Sequence, residues 1–157
     1  MADMNTLISA IGDAIAGASA VSSWSLLTYE EDITVYENCD ARQDPPESAC
    51  PLIIVSPVEK RAGMSRDAKE LLVGVSVIVF DESTETSLAG VIRYVGGRRL
   101  EELRKLVLAA VAGAVTENLM IMGVDTEYNL IEQFPFVSAN MIIELAGTRT
   151  IGQTTYE

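Results

Sequence analysis

Histidine is absent from these 157 residues. That absence removes the commonest general base, the commonest metal ligand, and the base of any Ser–His or Cys–His nucleophile pair. Cysteine is nearly as scarce. Cys39 and Cys50 are the only two, and without histidine they make no zinc site. Two cysteines in a reducing compartment are expected to remain thiols. Positive charge is scarce as well, with 11 Lys and Arg against 23 Asp and Glu and a net charge of −12. Such acidity argues against a general nucleic-acid binder, because counterion release needs clustered cations against phosphate. It argues equally against docking on an anionic membrane surface. No apolar run reaches the roughly 18 residues of a spanning helix. The opening "MADMNTLISAIGDAIAGASAV" lacks the basic start of a signal peptide, and Asp3 and Asp13 interrupt it. Synthesis in the cytoplasm is therefore expected, with no membrane partner.

What is present suffices for one core. A chain of this length buries about 70% of its unfolded surface, and its apolar fraction of 48% argues against disorder as a description of the whole. Met4, Leu7, Ile8, Ile11, Ile15 and Ala18 recur at helical spacing, with Asp3 as N-cap and an end near Gly17 to Ser22. "SSWSLLTYEED" reads as a segment with a short strand. Ile33–Glu37 alternates and is β-branched, so it predicts a strand. "CDARQDPPES" reads as a loop, because Pro45 and Pro46 cannot sit in a central strand. "PLIIVSP" and "ELLVGVSVIVFD" read as two buried strands, joined as a hairpin through a long loop, Pro57 to Ala68.

"ESTETSLAG" reads as a polar turn. "GGRRLEELRKLVLAAVAGAVTENLM" predicts a second amphipathic helix. Its apolar stripe runs from Leu100 to Leu119, with Glu101 and Glu102 in the first turn, and it stops before Gly123. Strands follow around Asp125–Glu132 and Phe136–Ala146. The order α-β-β-β-α-β-β describes an α+β domain, a mostly antiparallel sheet of four or five strands with two helices packed on one face. The domain spans 1–146, and the polar segment 147–157 is expected to form a flexible tail.

No catalytic constellation emerges. "VGGRRLEEL" sets two glycines and Arg98 and Arg99 at a helix start, but matches neither phosphate-loop pattern. Its arginines are expected to face solvent or a neighbouring subunit. The acidic runs "DESTE" and "YEED" lack calcium-loop spacing. Asp13, Glu30, Asp32, Glu101 and Glu102 form no argued pair, and Ser76 lies within a strand with no base beside it. Met120 and Met122 read as core or subunit contacts.

A charge pattern remains. Nine of the eleven basic residues fall between Lys60 and Lys105, whereas residues 1–59 hold ten acids and only Arg42. The bland reading is a mixed monomer surface. The functional reading is self-complementarity, with Lys60, Arg61, Arg66, Lys69, Arg98 and Arg99 of one subunit facing an acidic side of the next. Such a head-to-tail contact closes into a ring when the rotation permits, and electrostatics would set its register.

The layout from Met4 to about Ala146 resembles the tail-terminator and tail-completion (minor tail protein) family of long-tailed bacteriophages and prophages. The resemblance lies in order and texture: an N-terminal helix, a "PLIIVSP"-like strand, a long charged hairpin into "ELLVGVSVIVFD", a second helix and a closing strand pair. It implies a structural virion protein, made in the host cytoplasm and placed in the virion tail. It implies a homohexameric ring at the head-proximal end of the tail tube, which stops tube polymerisation. The implied partners are the protein itself, the tail tube protein and a head connector or neck protein, with DNA passing through the bore unbound. It implies that segment Pro57–Ala68 works at subunit or tube contacts, and neither catalysis nor a cofactor nor a metal. Neck and head-closure proteins share the look, and the Pro-rich loop Cys39–Cys50 departs from it. A non-viral α+β ligand-binding or regulatory module is the competing class, and an enzyme without histidine is the third.

Overall fold

The computed structural model describes residues 4–38, 47–62, 69–115 and 119–147; the side chains of 47, 59–62, 69 and 70 are not described. Asp3, Cys39, Arg66 and 148–157 therefore lie outside it. Helix α1 spans Met4–Gly17 and buries Leu7, Ile8, Ile11 and Ile15, the stripe that their spacing predicts. Helix α2, Ser19–Tyr29, occupies the stretch expected to hold a short strand. Only Ala18 separates it from α1, and Glu30, at φ 57°, ends it with its N–H on the Leu26 carbonyl. Val21 and Ser25 face inward one helical turn apart while Ser23 between them is exposed, a pattern that strand alternation cannot supply.

Strands β1 (Thr34–Glu37), β2 (Leu52–Ala62), β3 (Lys69–Phe80), β6 (Leu119–Asn129) and β7 (Phe136–Gly147) form one sheet in the order β1-β2-β3-β7-β6. All neighbours are antiparallel except β1 and β2. Helix α3, Val95–Ala114, packs with α1 on one face of this sheet, while α2 leans on α3 and α1. Ile53, Val55, the four valines of β3 from Val73 to Val79, and Ala139, Met141, Ile143 and Leu145 of β7 point under the helices. Leu100, Leu103, Val107 and Val111 of α3 meet them. Each of these Val, Leu, Ile and Met side chains, fully buried, contributes about 1.5–3 kcal/mol. The expected α+β class and the one-sided helical layer are thus observed.

Several boundaries differ from the sequence expectation. Of the expected long loop Pro57–Ala68, residues 57–62 are strand, and 63–68 lie outside the described residues. Pairing continues through Lys60↔Leu71 and Arg61↔Glu70 to Ala62↔Lys69, with a bulge at Val58. Pro57 lies beyond the end of β1 at the edge of the sheet, where a strand tolerates proline. The helix α3 begins at Val95, so Gly96 and Gly97 fall in its first turn and Glu101 and Glu102 do not. It ends at Ala114, and Leu119 and Met120 belong to β6. The expected polar turn is a two-stranded arm, β4 (Thr84–Thr86) and β5 (Ile92–Tyr94), all exposed.

Candidate functional site at the strand ends

A polar hub and an apolar groove adjoin at one end of the sheet. Asp81 follows directly on β3, and its side chain is 1% exposed. Its Oδ2 accepts the Tyr29 hydroxyl at 2.7 Å and Arg99 Nη1 at 2.8 Å, and its Oδ1 accepts the Ser83 amide at 2.9 Å. The Arg99 guanidinium also lies over the Tyr29 ring, 5.5 Å from its centroid. Burial pushes the Asp81 carboxyl up, but the bonds from Tyr29, Arg99 and Ser83 together outweigh it and hold the group below its ordinary range. Burial and then the Asp81 contact push the Tyr29 phenol well above its ordinary value. The carboxylate is therefore held charged by three of the chain's own donors. It anchors the end of α2, the end of β3, the base of the arm and the first turns of α3.

Beside it lies a groove of about 460 Å³, formed by Tyr94, Gly96, Gly97, Val137 and the β6–β7 connection with Leu130, Ile131 and Phe134. Hydrogen bonds hold that connection: Asn129 Oδ1 accepts the Glu132 amide, Ile131 O accepts the Phe134 amide, and Pro135 O accepts the Asp81 amide. Tyr94 meets Phe134 edge-on at 5.4 Å. The Gly96 Cα faces Asp81 so closely that a Cβ there would lie 3.1 Å from Asp81 Cβ, which explains a glycine inside a helix.

The sequence-predicted contact residues separate into two places. Arg98 is exposed and pairs with Glu85 on the arm at 3.3 Å. Arg99 pairs with the buried Asp81 and keeps 30% of its side chain exposed. A carboxylate buried at that strand end draws in the nearest cation. Lys60, Arg61 and Lys69 stand at the far end of the sheet, on the last paired rows of β2 and β3. On α3, Arg104 Nε donates to Glu101 at 2.8 Å, and Glu101 also accepts the Tyr128 hydroxyl. Arg104 first, then Tyr128, overcome desolvation and pull Glu101 down to about 2. Among the described residues, no three His, Cys, Asp or Glu side chains converge as a metal site would require.

Tyr29, Asp81, Leu130, Ile131 and Phe134 were not singled out by sequence reasoning. One signal was available for the last three. "NLIEQFPF" sets large apolar residues in a connection between strands, where polar residues are the rule.

No protein-family model matches the chain, and no curated protein matches it. Among solved structures it is similar to a chain in the virion of a native gene transfer agent (GTA) particle, at 14% identity and a TM-score of 0.45, over 90% of this chain and 93% of that one. A likeness at that level identifies neither a family nor a function.

Proposed function

We propose that this chain is a structural subunit that assembles with copies of itself into a ring, of the kind that terminates the tail tube of a long-tailed phage and presents a surface to the head connector. The observation that carries this is the uneven distribution of charge over one sheet. Lys60, Arg61 and Lys69 stand together at the hairpin end of β2 and β3, with Glu59 and Glu70 among them. Strands β6 and β7 carry Asp125, Glu127 and Glu144 and no basic residue. Arg98, Arg99 and Arg104 are taken up by Glu85, Asp81 and Glu101 within the chain. Outside those pairs, the hairpin holds the largest group of the scarce cations. Two unlike surfaces on one molecule favour a heterologous contact, which closes into a ring when its rotation divides the circle. The net charge of −12 would make such a ring repel DNA passing through it.

The groove beside Asp81 favours a second reading, a ligand-binding module. Its volume falls within the range of small-molecule sites, and its walls are apolar with one polar hub. Particle mass separates the two. Light scattering and electron micrographs of the purified protein should give a closed particle several times the subunit mass of 16.9 kDa. A monomer at micromolar concentration and low salt would rule the ring out and leave the binding module standing.

A further inference from the structure

The β4–β5 arm ends in a knob. Gly90 N–H closes onto the Ser87 carbonyl at 2.9 Å, and Ser87 N–H donates to the Val91 carbonyl at 2.9 Å. Ser87 Oγ accepts the Val91 amide at 3.1 Å. Gly90 takes φ +82°, which a side chain would resist. This turn satisfies its own backbone, and at its corner it holds Leu88 fully exposed, with Val91 and Ile92 beside it, 48% and 64% exposed. Ordering such a tip costs little at the moment of docking, since the turn is already fixed.

The same molecule carries a hole of matching character. Ile131, 86% exposed, and Phe134, 43% exposed, rim the groove beside Asp81. Leu88 cannot fill the groove of its own chain. Tyr94, at the base of the arm, lines that groove, and the three paired rows from Thr84↔Tyr94 to Thr86↔Ile92 carry the tip away from it, by about 3.3 Å per row. Arm and groove nevertheless lie at the same end of the sheet, so copies set side by side at one level present one to the other.

We infer that the β4–β5 arm of one copy docks Leu88 into the Ile131–Phe134 groove of the next. The inference rests on the reading of the chain as self-assembling and adds a specific contact to it. The area supports an auxiliary role. Leu88, Val91 and Ile92 at the tip and Leu130, Ile131 and Phe134 at the groove are too few to fill the roughly 1,600 Å² that a standard stable interface buries. Arm docking therefore joins neighbours that another surface also holds. The charged hairpin and the acidic β6 edge suit that second surface.

Paired cysteines test this. Leu88→Cys and Ile131→Cys in one chain should form intermolecular disulfides under mild oxidation, laddering up to the ring size, where the unmodified protein does not. Mixing the two single variants should give dimers only. In a separate measurement, Leu88→Asp should weaken self-association about tenfold or more with an unchanged circular dichroism spectrum, because the side chain is fully exposed in its own chain. A protein that assembles normally without any Leu88–Ile131 cross-link would overturn the arm contact and leave the ring intact. Cross-linking of the Leu88→Cys single variant to itself would mean that arms meet tip to tip, and would overturn the groove assignment. A wild-type protein that stays monomeric would overturn the ring and the arm contact together.

Discussion

The Tyr29 hydroxyl donates to Asp81 at 2.7 Å, joining the last residue of α2 to the residue that follows β3. Arg99 of α3 meets the same carboxylate oxygen. One acidic group thus ties two helices to a strand end, and the arm and the groove are both built outward from it. Replacing Asp81 with Ala leaves Arg99 and Tyr29 facing an apolar gap. The loss should be about 2–3 kcal/mol, less than for a fully buried ion pair because Arg99 keeps 30% of its side chain in solvent. Tyr29→Phe removes one donor and keeps the ring, and should cost about 1 kcal/mol. Urea melts of both single variants and the double variant measure the coupling. Additive losses would show that the two groups act independently.

Stability should fall at both ends of the pH scale, through different residues. Asp81 and Glu101 are depressed in the fold, so each contributes stability that is present above its ordinary value, 3.8 and 4.5, and is lost as pH falls. For Glu101 the loss runs down toward pH of about 2. Its side chain is one-third exposed, so solvent screens its share and Asp81 should dominate the acid limb. Tyr29 is raised, so its contribution is complete below 10.0 and fades above it. Asp81→Asn should flatten the acid limb, and Tyr29→Phe the alkaline one. Unchanged limbs in chemical melts across pH would show that the hub does not govern stability.

Neighbouring glycines should respond with opposite sign. A Cβ at Gly96 would press on Asp81 Cβ at 3.1 Å and its carbonyl oxygen at 3.4 Å, and neither can withdraw from the hub. Gly96→Val should destabilise by about 2 kcal/mol or more and lower the expression of folded protein. At Gly97 a Cβ meets only Leu130 Cδ1 at an ordinary 3.7 Å. Gly97→Ala should raise stability by up to about 1 kcal/mol through helix propensity. Thermal melts of the two variants decide it, and equal shifts would refute the packing argument.

Purified protein should take up no zinc and show no thermal shift with nucleotides. The reasons are the missing histidine and the lack of a phosphate-loop pattern at Gly96–Arg99. Stoichiometric metal by elemental analysis, or a nucleotide-dependent rise in melting temperature, would contradict this.

Periodicity made the frame of the fold legible. The stripe of α1, the valine alternation of β3 and the Leu–Leu–Val–Val line of α3 each appear where their spacing places them. The errors arose where local pattern is weak or tertiary pairing overrides it. In α2, Leu26 and Leu27 are both exposed, so burial gives no clean helical stripe to read. Glu59, Lys60 and Arg61 look like loop, yet with Ala62 they extend a ladder that β3 completes. The hub was illegible because Tyr29, Asp81 and Arg99 are far apart in sequence and each is an unremarkable surface type alone. Only the convergence of α2, β3 and α3 makes them a unit.

The hairpin of β2 and β3 offers the sharpest test of assembly. Reversing Lys60, Arg61 and Arg66 to Glu, the last of them outside the described residues, turns the chain's densest cationic segment acidic. Pro57 to Ala62 run beyond β1 and bury no partner strand on that side, so the fold should survive the change. The oligomer should not, because carboxylates would then face the acidic strands β6 and β7 of a neighbour. Salt should act on the wild type in the same direction. Raising ionic strength from about 0.1 M to 1 M shortens the screening length from about 10 Å to 3 Å and weakens rim ion pairs. Apolar contact at the arm would strengthen or hold over the same range. The expected result is a partial loss of mass with salt and a complete loss in the triple variant, read by light scattering, with circular dichroism unchanged. If the triple variant assembles like the wild type, the hairpin is not a contact element and the scarce positive charge there has another purpose.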